Sequence, residues 1–427
     1  MLSEAKMEFR ALRGTSDLLA VETAQWTRLE QAMRAVCARF GFQEIRTPLM
    51  EDAQLFTRSV GDTTDIVQKE MYVFPDRGGR SIALRPEGTA SLVRAYVEHE
   101  LAKTEGLVKW FTIGPMFRAE RPQAGRKRQF HQVSVEAIGA SHPLLDAELV
   151  LLALALLEAA GVQGTRIRVN NVGCHADRER SSAQLREQLA PHVGALCEEC
   201  RARIQRNVFR VIDCKHASCQ VIVRQLQVAW SRCAACEAHH ARVLTSLREA
   251  GVTYAEDSSV VRGLDYYTKT VFELSHEALG AQDALGAGGR YDNLVEALGG
   301  PDVGASGFAL GIERVLMAAQ PSSAVADASH TGAVAIAVLA LDDAAQHEAF
   351  QLTQQLRSAG IAAAMDFAGR SLKAQMRTAN KWGVKAALLL GAQERTQGTV
   401  TLKDMINSTQ TTVPRAEVVT AVRSILT

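Results

Sequence analysis

LVKWFTIGPMFRAERPQAGRKRQFHQVSVEAI, residues 107–138, opens and closes in strand-like sequence with a charged loop between. Leu107 to Ile113 and Phe130 to Ile138 are rich in β-branched and aromatic residues, and Gly125 sits at the tip of the loop. One strand following another without an intervening helix implies antiparallel pairing. The loop holds five cations, Arg118, Arg121, Arg126, Lys127 and Arg128, against one acid, Glu120. Such a hairpin presents guanidinium forks suited to phosphate, or is a solvated basic loop and nothing more.

Upstream, Met71 to Phe74 and Ser81 to Leu84 read as further strands of the same antiparallel sheet. Trp26 to Phe40 is an expected helix whose Leu29, Met33, Val36 and Cys37 make one apolar face, ended by Gly41. Ile45 to Leu49 reads as a short strand, with Pro48 implying an edge or interface position. Helices over Thr89–His99 and Asp146–Ala160 are expected to pack on the sheet. Residues 171–255, rich in charge and holding nearly all the cysteine, interrupt it, because strand-like sequence resumes at Val260 and runs to Leu316. An inserted, mainly helical domain is the economical reading. Gln320 to Gly332 is small and polar, a linker. Beyond it come strand (Val334–Leu341), helix (Ala344–Ala359), strand (Ile361–Met365), helix (Ser371–Trp382) and strand (Ala386–Leu390), an α/β domain with a parallel or mixed sheet. The expected division is therefore a core over 1–170 and 256–319, an insert over 171–255, a linker over 320–332 and a last domain over 333–427.

Composition agrees with a soluble multi-domain chain of 427 residues, 47% hydrophobic and 22% charged. Forty-eight Lys and Arg against 47 Asp and Glu leave a net charge of +1, which excludes an indiscriminate polyanion binder, and the composition excludes intrinsic disorder for most of the chain. The last domain carries 10 cations against 7 acids, or +3, a weak hint of RNA. The longest apolar run, Leu149 to Leu157, has nine residues, too few to span a membrane. The N-terminus lacks the apolar stretch of a signal peptide, so a cytoplasmic location is expected.

Four more clusters carry chemistry. In Arg85-Pro-Glu-Gly-Thr-Ala, between a strand and a helix, Thr89 is placed to cap the helix while Glu87 points a carboxylate beyond the sheet. Arg262-Gly-Leu-Asp-Tyr-Tyr gathers an arginine, a carboxylate and two phenols. Gly286-Ala-Gly-Gly-Arg-Tyr-Asp lets backbone approach something closely. Gly307-Phe-Ala-Leu-Gly-Ile-Glu-Arg is a strand entering a helix with Arg314 near its start, and is not a phosphate-cradling P-loop. Cys37 stands alone, and the other seven cysteines lie between Cys174 and Cys236. Two C-x2-C pairs, Cys197/Cys200 and Cys233/Cys236, would make one tetrahedral zinc site if the 32 residues between them fold back; packed free thiols are the alternative.

Taken together, these stretches closely resemble the histidyl-tRNA synthetase family of class II aminoacyl-tRNA synthetases over essentially the whole chain. Phe117-Arg-x-Glu with its flanking strands resembles the class motif 2, Gly307 to Arg314 resembles motif 3, and the helix and strand around Pro48 resemble the dimer-forming motif 1. Arg262-Gly-Leu-Asp-Tyr-Tyr and Ala287-Gly-Gly-Arg-Tyr-Asp are similar to signatures peculiar to the histidine enzymes. The resemblance implies an α+β catalytic core on an antiparallel sheet, an insert, and a C-terminal α/β anticodon-binding domain. It implies ATP-dependent formation of histidyl-adenylate, then transfer to tRNA, by a homodimer without a membrane partner. It does not demand zinc.

Residue by residue, the resemblance implies that Arg118 and Arg262 meet the α-phosphate, Arg262 also the amino-acid carboxylate, and Arg314 the γ-phosphate and adenine. Glu120 and Arg126 join the ATP site, and magnesium rides on the leaving pyrophosphate. Glu136 and Tyr267 read the two imidazole nitrogens, Tyr266 and Tyr291 shape the pocket, and Glu87, Thr89 and Gln132 hold the α-amino group. Arg262, Arg118 and Gln132 are the expected catalytic residues. The basic loop from Ala119 to Gln129 faces the tRNA acceptor stem, and the last domain the anticodon. A non-catalytic regulatory subunit of histidine biosynthesis is the runner-up. Such relatives usually lack the inserted and last domains. A general RNA-binding module leaves the histidine-pocket residues unexplained.

Overall fold

The computed structural model describes residues 9–62, 64–123, 125–212, 214, 216–226, 230–261, 266–280, 283–319 and 334–426. Among the described residues two compact units emerge, a larger one over 9–18 and 26–319 and a smaller one over 19–25 and 334–426.

The larger unit is organised by an eight-stranded sheet. Six strands form its antiparallel centre, in the spatial order Val108–Phe117, Gln129–Ile138, Ala305–Gly311, Ala284–Arg290, Thr268–Ser275 and Arg166–Asn171. A two-residue strand adds in parallel at each edge: Gln43–Glu44 beside Val108–Phe117, and Ala255–Glu256 beside Arg166–Asn171. The hairpin that opened the sequence reading is thus the seed of the sheet, paired from Val108↔Ile138 to Phe117↔Gln129. Side chains alternate between faces along a strand. Val133, Val135 and Ala137 lie in the main apolar core with Trp26, Leu29, Met33, Leu149, Leu152, Leu156, Val243 and Leu247. Three helices, Ala20–Arg39, Pro143–Ala159 and Ala234–Glu249, supply those last residues and cover that face. Pro143–Ala159 is apolar nearly all round because it is buried between the sheet and Ala234–Glu249.

Two strands expected in this sheet lie elsewhere. Val73–Pro75 and Ser81–Leu84 pair with Met50–Asp52 in a separate three-stranded sheet, Ser81–Leu84 in the middle. The strand expected over Ile45–Leu49 also shifts: pairing with Trp110 and Phe111 occupies Gln43 and Glu44, and ends as the Ile45 amide donates to the Phe111 carbonyl. Pro48 has no amide to continue the ladder. The Thr47 carbonyl and hydroxyl are taken by the buried Arg85 guanidinium, at 3.4 and 3.1 Å.

Between Arg166–Asn171 and Ala255–Glu256 the chain is helical: His175–Leu189, Glu198–Arg206, Ala217–Gln225 and Ala234–Glu249. A separate small apolar cluster spans Leu185 to Ile222, whereas Val243, Leu244 and Leu247 of the last helix belong to the main core.

The smaller unit carries a five-stranded mixed sheet ordered Ala363–Met365, Ile336–Ala340, Ala386–Leu390, Thr399–Asp404, Gln410–Pro414. The first three strands are parallel, with helices Asp343–Ser358 and Leu372–Trp382 between them in sequence, as the alternation predicts. The antiparallel pair that follows escaped the sequence reading. The expected linker, Gln320 to Gly332, lies outside the described residues.

Candidate active site

The sheet face away from the main helical core holds a cavity of about 240 Å³. Small residues make the room: Gly286, Ala287, Ala309 and Gly311 form part of its floor. Phe130 and Gln132 line it, and Glu136 rises from the same face of the same strand. Gly307 lies opposite Glu136 in the sheet, and a Cβ there would run into the Glu136 carboxylate and the Val135 carbonyl.

Glu136 is fully buried. Its carboxyl accepts a bond of 2.6 Å from the Thr89 hydroxyl and a short one from the Tyr291 hydroxyl. Burial, reinforced by the nearby Glu87, pushes its pKa up to about 8 although both hydroxyls pull it down. Tyr266 bridges the neighbouring phenols, with ring centroids 4.7 Å from Tyr267 and 5.4 Å from Tyr291. Burial raises the Tyr266 and Tyr291 hydroxyls well above their ordinary range, so both stay protonated donors.

Thr89 does not cap its helix. Glu87 does so from two residues earlier, its carboxylate oxygens accepting the Thr89 amide at 2.7 Å and the Ala90 amide at 2.9 Å. This frees the Thr89 hydroxyl for Glu136. Burial lifts the Glu87 carboxyl, and the two amides oppose the rise. Gln132 contributes a buried Oε1 with no hydrogen-bond partner among the described residues, an acceptor beside the cavity.

Cations gather at the other end. The Arg118 Nε donates to the Pro86 carbonyl at 2.9 Å, and its guanidinium stacks 5.3 Å from the Phe130 ring centroid. Glu120 lies 3.8 Å from Arg118 and 3.1 Å from Arg126. Arg314 is held by the Ala284 carbonyl at 2.6 Å and the Gly125 carbonyl at 3.4 Å, which ties the start of its helix to the hairpin tip. Burial and the like charge of Arg126 lower its pKa, the mark of cations crowded where an anion would relieve them.

Two other signature cations are structural. Arg85 is buried and bonds the Pro115 carbonyl at 3.0 Å as well as Thr47. Arg290 is completely buried, paired with Asp146 through Nη2 at 2.6 Å and Nε at 3.2 Å, and with Asp292 at 2.8 Å. Asp146 also meets His239 and Ser306, each at 2.8 Å. Burial alone would raise Asp146, but His239 and Arg290 hold it down at about 2.

Arg262 lies outside the described residues. Glu87, Thr89, Arg118, Glu120, Arg126, Gln132, Tyr266, Tyr267 and Arg314 all line one cavity, and Glu136 and Tyr291 adjoin it through Thr89 and Tyr266. The sequence reading missed Phe130, the platform for Arg118, and the space Gly307 leaves for Glu136. Two-residue alternation from Glu136 back through Gln132 to Phe130 is the signal that finds the first. The single zinc site considered for Cys197, Cys200, Cys233 and Cys236, beside the alternative of packed free thiols, does not assemble from these four. Cys197 and Cys200 gather with Cys214 and Cys219, whereas Cys233 and Cys236 gather with Cys174 and Asp177. The two C-x2-C turns open different helices, Glu198–Arg206 and Ala234–Glu249, in different apolar clusters.

Comparison with known proteins agrees with this geometry. Residues 14–315 match the family described as Histidyl-tRNA synthetase, and residues 334–425 the family described as Anticodon binding domain. The chain is 46% identical over 408 residues to the histidine–tRNA ligase of Moorella thermoacetica, covering 95% of this chain and 96% of that one. It is 44% identical over 413 residues to the ligase of Desulforamulus reducens, covering 96% and 98%. The apo Staphylococcus aureus histidyl-tRNA synthetase structure superposes with a TM-score of 0.80 at 31% identity, covering 97% of this chain and all of that one.

Proposed function

The chain belongs to the histidyl-tRNA synthetase family, and from that membership we propose how its own residues attach histidine to tRNA. It is an aminoacyl-tRNA ligase, spending ATP to join L-histidine to the tRNA that reads histidine codons. The observation that carries the assignment of residues is the buried Glu136, set between Thr89 and Tyr291 at one end of a cavity whose other end is lined by Arg118, Arg126 and Arg314.

The imidazole enters at the carboxyl end. Glu136, held by Thr89 and Tyr291, accepts from one ring N–H, and the Tyr267 hydroxyl meets the other nitrogen. A site built to bond both nitrogens rejects a side chain that lacks them, because its buried polar groups would be left unpaired. The Gln132 Oε1, the Glu87 carboxylate and the Thr89 hydroxyl take the α-amino group. ATP lies toward the cations, with Arg118 on the α-phosphate and Arg314 and Arg126 on the β- and γ-phosphates. Arg262, four residues before Tyr266 in the same signature, is assigned from family membership to the α-phosphate and the histidine carboxylate. A histidine carboxylate oxygen then bonds the α-phosphorus as the bond to pyrophosphate breaks, and Arg118 is already oriented for the charge that develops. The terminal ribose hydroxyl of the tRNA next attacks the histidyl carbonyl, and AMP leaves.

Magnesium would travel on the phosphates, where it offsets charge on the leaving pyrophosphate. Glu120, a hard oxygen donor among the arginines, fits such an ion, with the half-buried Glu70 near it. The basic hairpin faces the acceptor stem. A second cavity of about 660 Å³, which shares Tyr266 and is lined by Arg58, Arg186 and Arg206, lies where the tRNA end would pass between core and insert. The smaller unit reads the anticodon. Leu49, Met50, Val73 and Phe74 are exposed on or beside the three-stranded sheet, which supports a homodimer through that face. Eight unbonded cysteines, and the lack of any described helix able to cross a membrane, are consistent with a cytoplasmic protein.

The regulatory-subunit reading is weaker, since near-full-length relatives are ligases and the last domain is present. Histidine-dependent ATP–pyrophosphate exchange, followed by charging of tRNA, is the test. Absence of exchange with any amino acid would overturn the assignment.

A further inference from the structure

Seven cysteines between residues 174 and 236 take no part in the chemistry above. Four of them, Cys197, Cys200, Cys214 and Cys219, converge so that their Sγ atoms all lie within 4.8 Å of one another. Cys197 Sγ and Cys214 Sγ are 3.9 Å apart. Four sulfurs each about 2.3 Å from a central ion sit about 3.8 Å from one another in a regular tetrahedron. A disulfide would need about 2.05 Å, and none of the eight cysteines is bonded.

The surroundings prepare sulfur for a cation. The Cys197 amide donates to Cys219 Sγ at 3.2 Å, the Cys200 amide to Cys197 Sγ at 3.4 Å and the His216 amide to Cys214 Sγ at 3.4 Å. Backbone amides aimed at sulfur are the outer contacts that metal-bound thiolates accept. The spacing, C-x2-C, thirteen residues, then C-x4-C, places Cys197 as the cap of helix Glu198–Arg206 and Cys219 in the first turn of Ala217–Gln225. Metal bound here would join the two helices. Cys200, Cys214 and Cys219 are buried members of the small cluster Leu185–Ile222, where a fold of this size would otherwise place large apolar side chains. A core so thin needs a staple.

We propose that Cys197, Cys200, Cys214 and Cys219 bind one zinc ion as four thiolates, and that this ion holds the insert together. Thiol protons pass to solvent on binding, and no redox step is involved. Four protein ligands leave no open position, so the ion is structural. The second group, Cys174, Asp177, Cys233 and Cys236, differs in that its carboxylate is already satisfied. Asp177 accepts the Cys233 amide at 3.0 Å and the Cys174 amide at 3.2 Å, and pairs with Arg180.

The test is the zinc content of the full-length protein, purified without a histidine tag or added metal. It is compared among the native chain, the double variant Cys197→Ser, Cys214→Ser, the single variant Cys233→Ser, and the pair Cys219→His and Cys219→Ala. The native chain is expected to carry about one zinc, which is lost in the double variant and in Cys219→Ala. Cys219→His and Cys233→Ser are expected to keep it, and native protein exchanged with cobalt should show the intense visible absorption of a tetrahedral thiolate site. If the double variant is insoluble, the contrast between histidine and alanine at position 219 decides. Native protein that lacks zinc and gives no such cobalt spectrum would overturn the proposal. So would zinc lost from Cys233→Ser but kept in the double variant, or equal zinc in all five proteins.

Discussion

Thr89 and Glu136, 47 residues apart in sequence, meet in a buried hydrogen bond of 2.6 Å that exists because Glu87 has taken over the capping of the Thr89 helix. Thr89 is thereby a link between the mouth and the floor of the cavity. Thr89→Val keeps the shape and removes the donor. It is expected to lower kcat/KM for histidine in pyrophosphate exchange by about 10-fold, roughly the worth of one buried hydrogen bond, with KM for ATP unchanged. An equal loss for both substrates would refute the placement.

Glu136→Gln should be more severe, about 100-fold or more in kcat/KM for histidine, because a carboxyl that reads an imidazole N–H becomes an amide facing two hydroxyl donors. Its pH signature is separate. The folded pKa of about 8 lies above the ordinary 4.5, so between these values the folded chain holds a proton that the unfolded chain has released. Stability contributed by the neutral carboxyl is therefore full below the lower value and is lost as pH rises toward about 8, by at most about 1.4 kcal/mol per pH unit. Urea midpoints measured across that window should fall less steeply for the glutamine variant. Parallel curves would show that the carboxyl is not the titrating group.

Gly307→Ala is expected to fold and to fail in catalysis. The added methyl would occupy the position of the Glu136 carboxylate and crowd the Val135 carbonyl. Relief requires moving one or the other, at a cost of about 1–3 kcal/mol. A melting temperature lowered by a few degrees together with a lost histidine site, read by titration calorimetry, is the expected pair of results. Unimpaired histidine binding would contradict the geometry.

Phe130→Leu removes the ring beneath Arg118 while keeping an apolar side chain. The stacking is worth about 1 kcal/mol, so KM for ATP should rise about 5-fold with little change in KM for histidine. Steady-state exchange kinetics check this directly.

Asp146→Asn tests the buried network rather than the chemistry. It leaves Arg290 with Asp292 as its remaining anion and should cost up to about 3–5 kcal/mol in denaturant unfolding. Because Asp146 is held at about 2, below its ordinary 3.8, its stabilisation is complete above the latter and disappears as pH falls through the former. Acid unfolding of the native chain should therefore be steeper than that of the variant.

These results separate what local sequence carries from what it does not. The hairpin of residues 107–138, the glycine-rich strands and the alternating last domain were legible because each is written in periodicity and turn residues over a short span. Arg85 and Arg290 sit in the same signature stretches as residues of the cavity, yet one holds Thr47 and the other Asp146. Nothing in an arginine's neighbours along the chain reports whether its partner is a ligand or a buried aspartate. The cysteines teach the same lesson. C-x2-C spacing identifies a turn with two aligned sulfurs, but which other sulfurs complete the group depends on helices whose packing is decided elsewhere. Glu87 escaped recognition as a cap for a geometric reason: its longer side chain reaches forward to the Thr89 and Ala90 amides from a position where a shorter capping residue would not be sought.

The segment from Asp65 to Glu70 is a shared footing. Asp65 pairs with Arg203 at 3.1 Å and Arg210 at 2.6 Å in the insert, and Lys69 with Glu199 at 3.1 Å. At its other end the Glu70 carbonyl accepts the Ala119 amide at 2.7 Å, immediately after Arg118. One π-helical turn, Ile66–Glu70, spans the gap between these attachments. In the currency of inheritance, neither the insert nor the basic hairpin is free to drift alone. A lineage that rewrites the arginines of one must keep the turn in a form the other still accepts, so changes on the two sides should be found together in descendants of this gene.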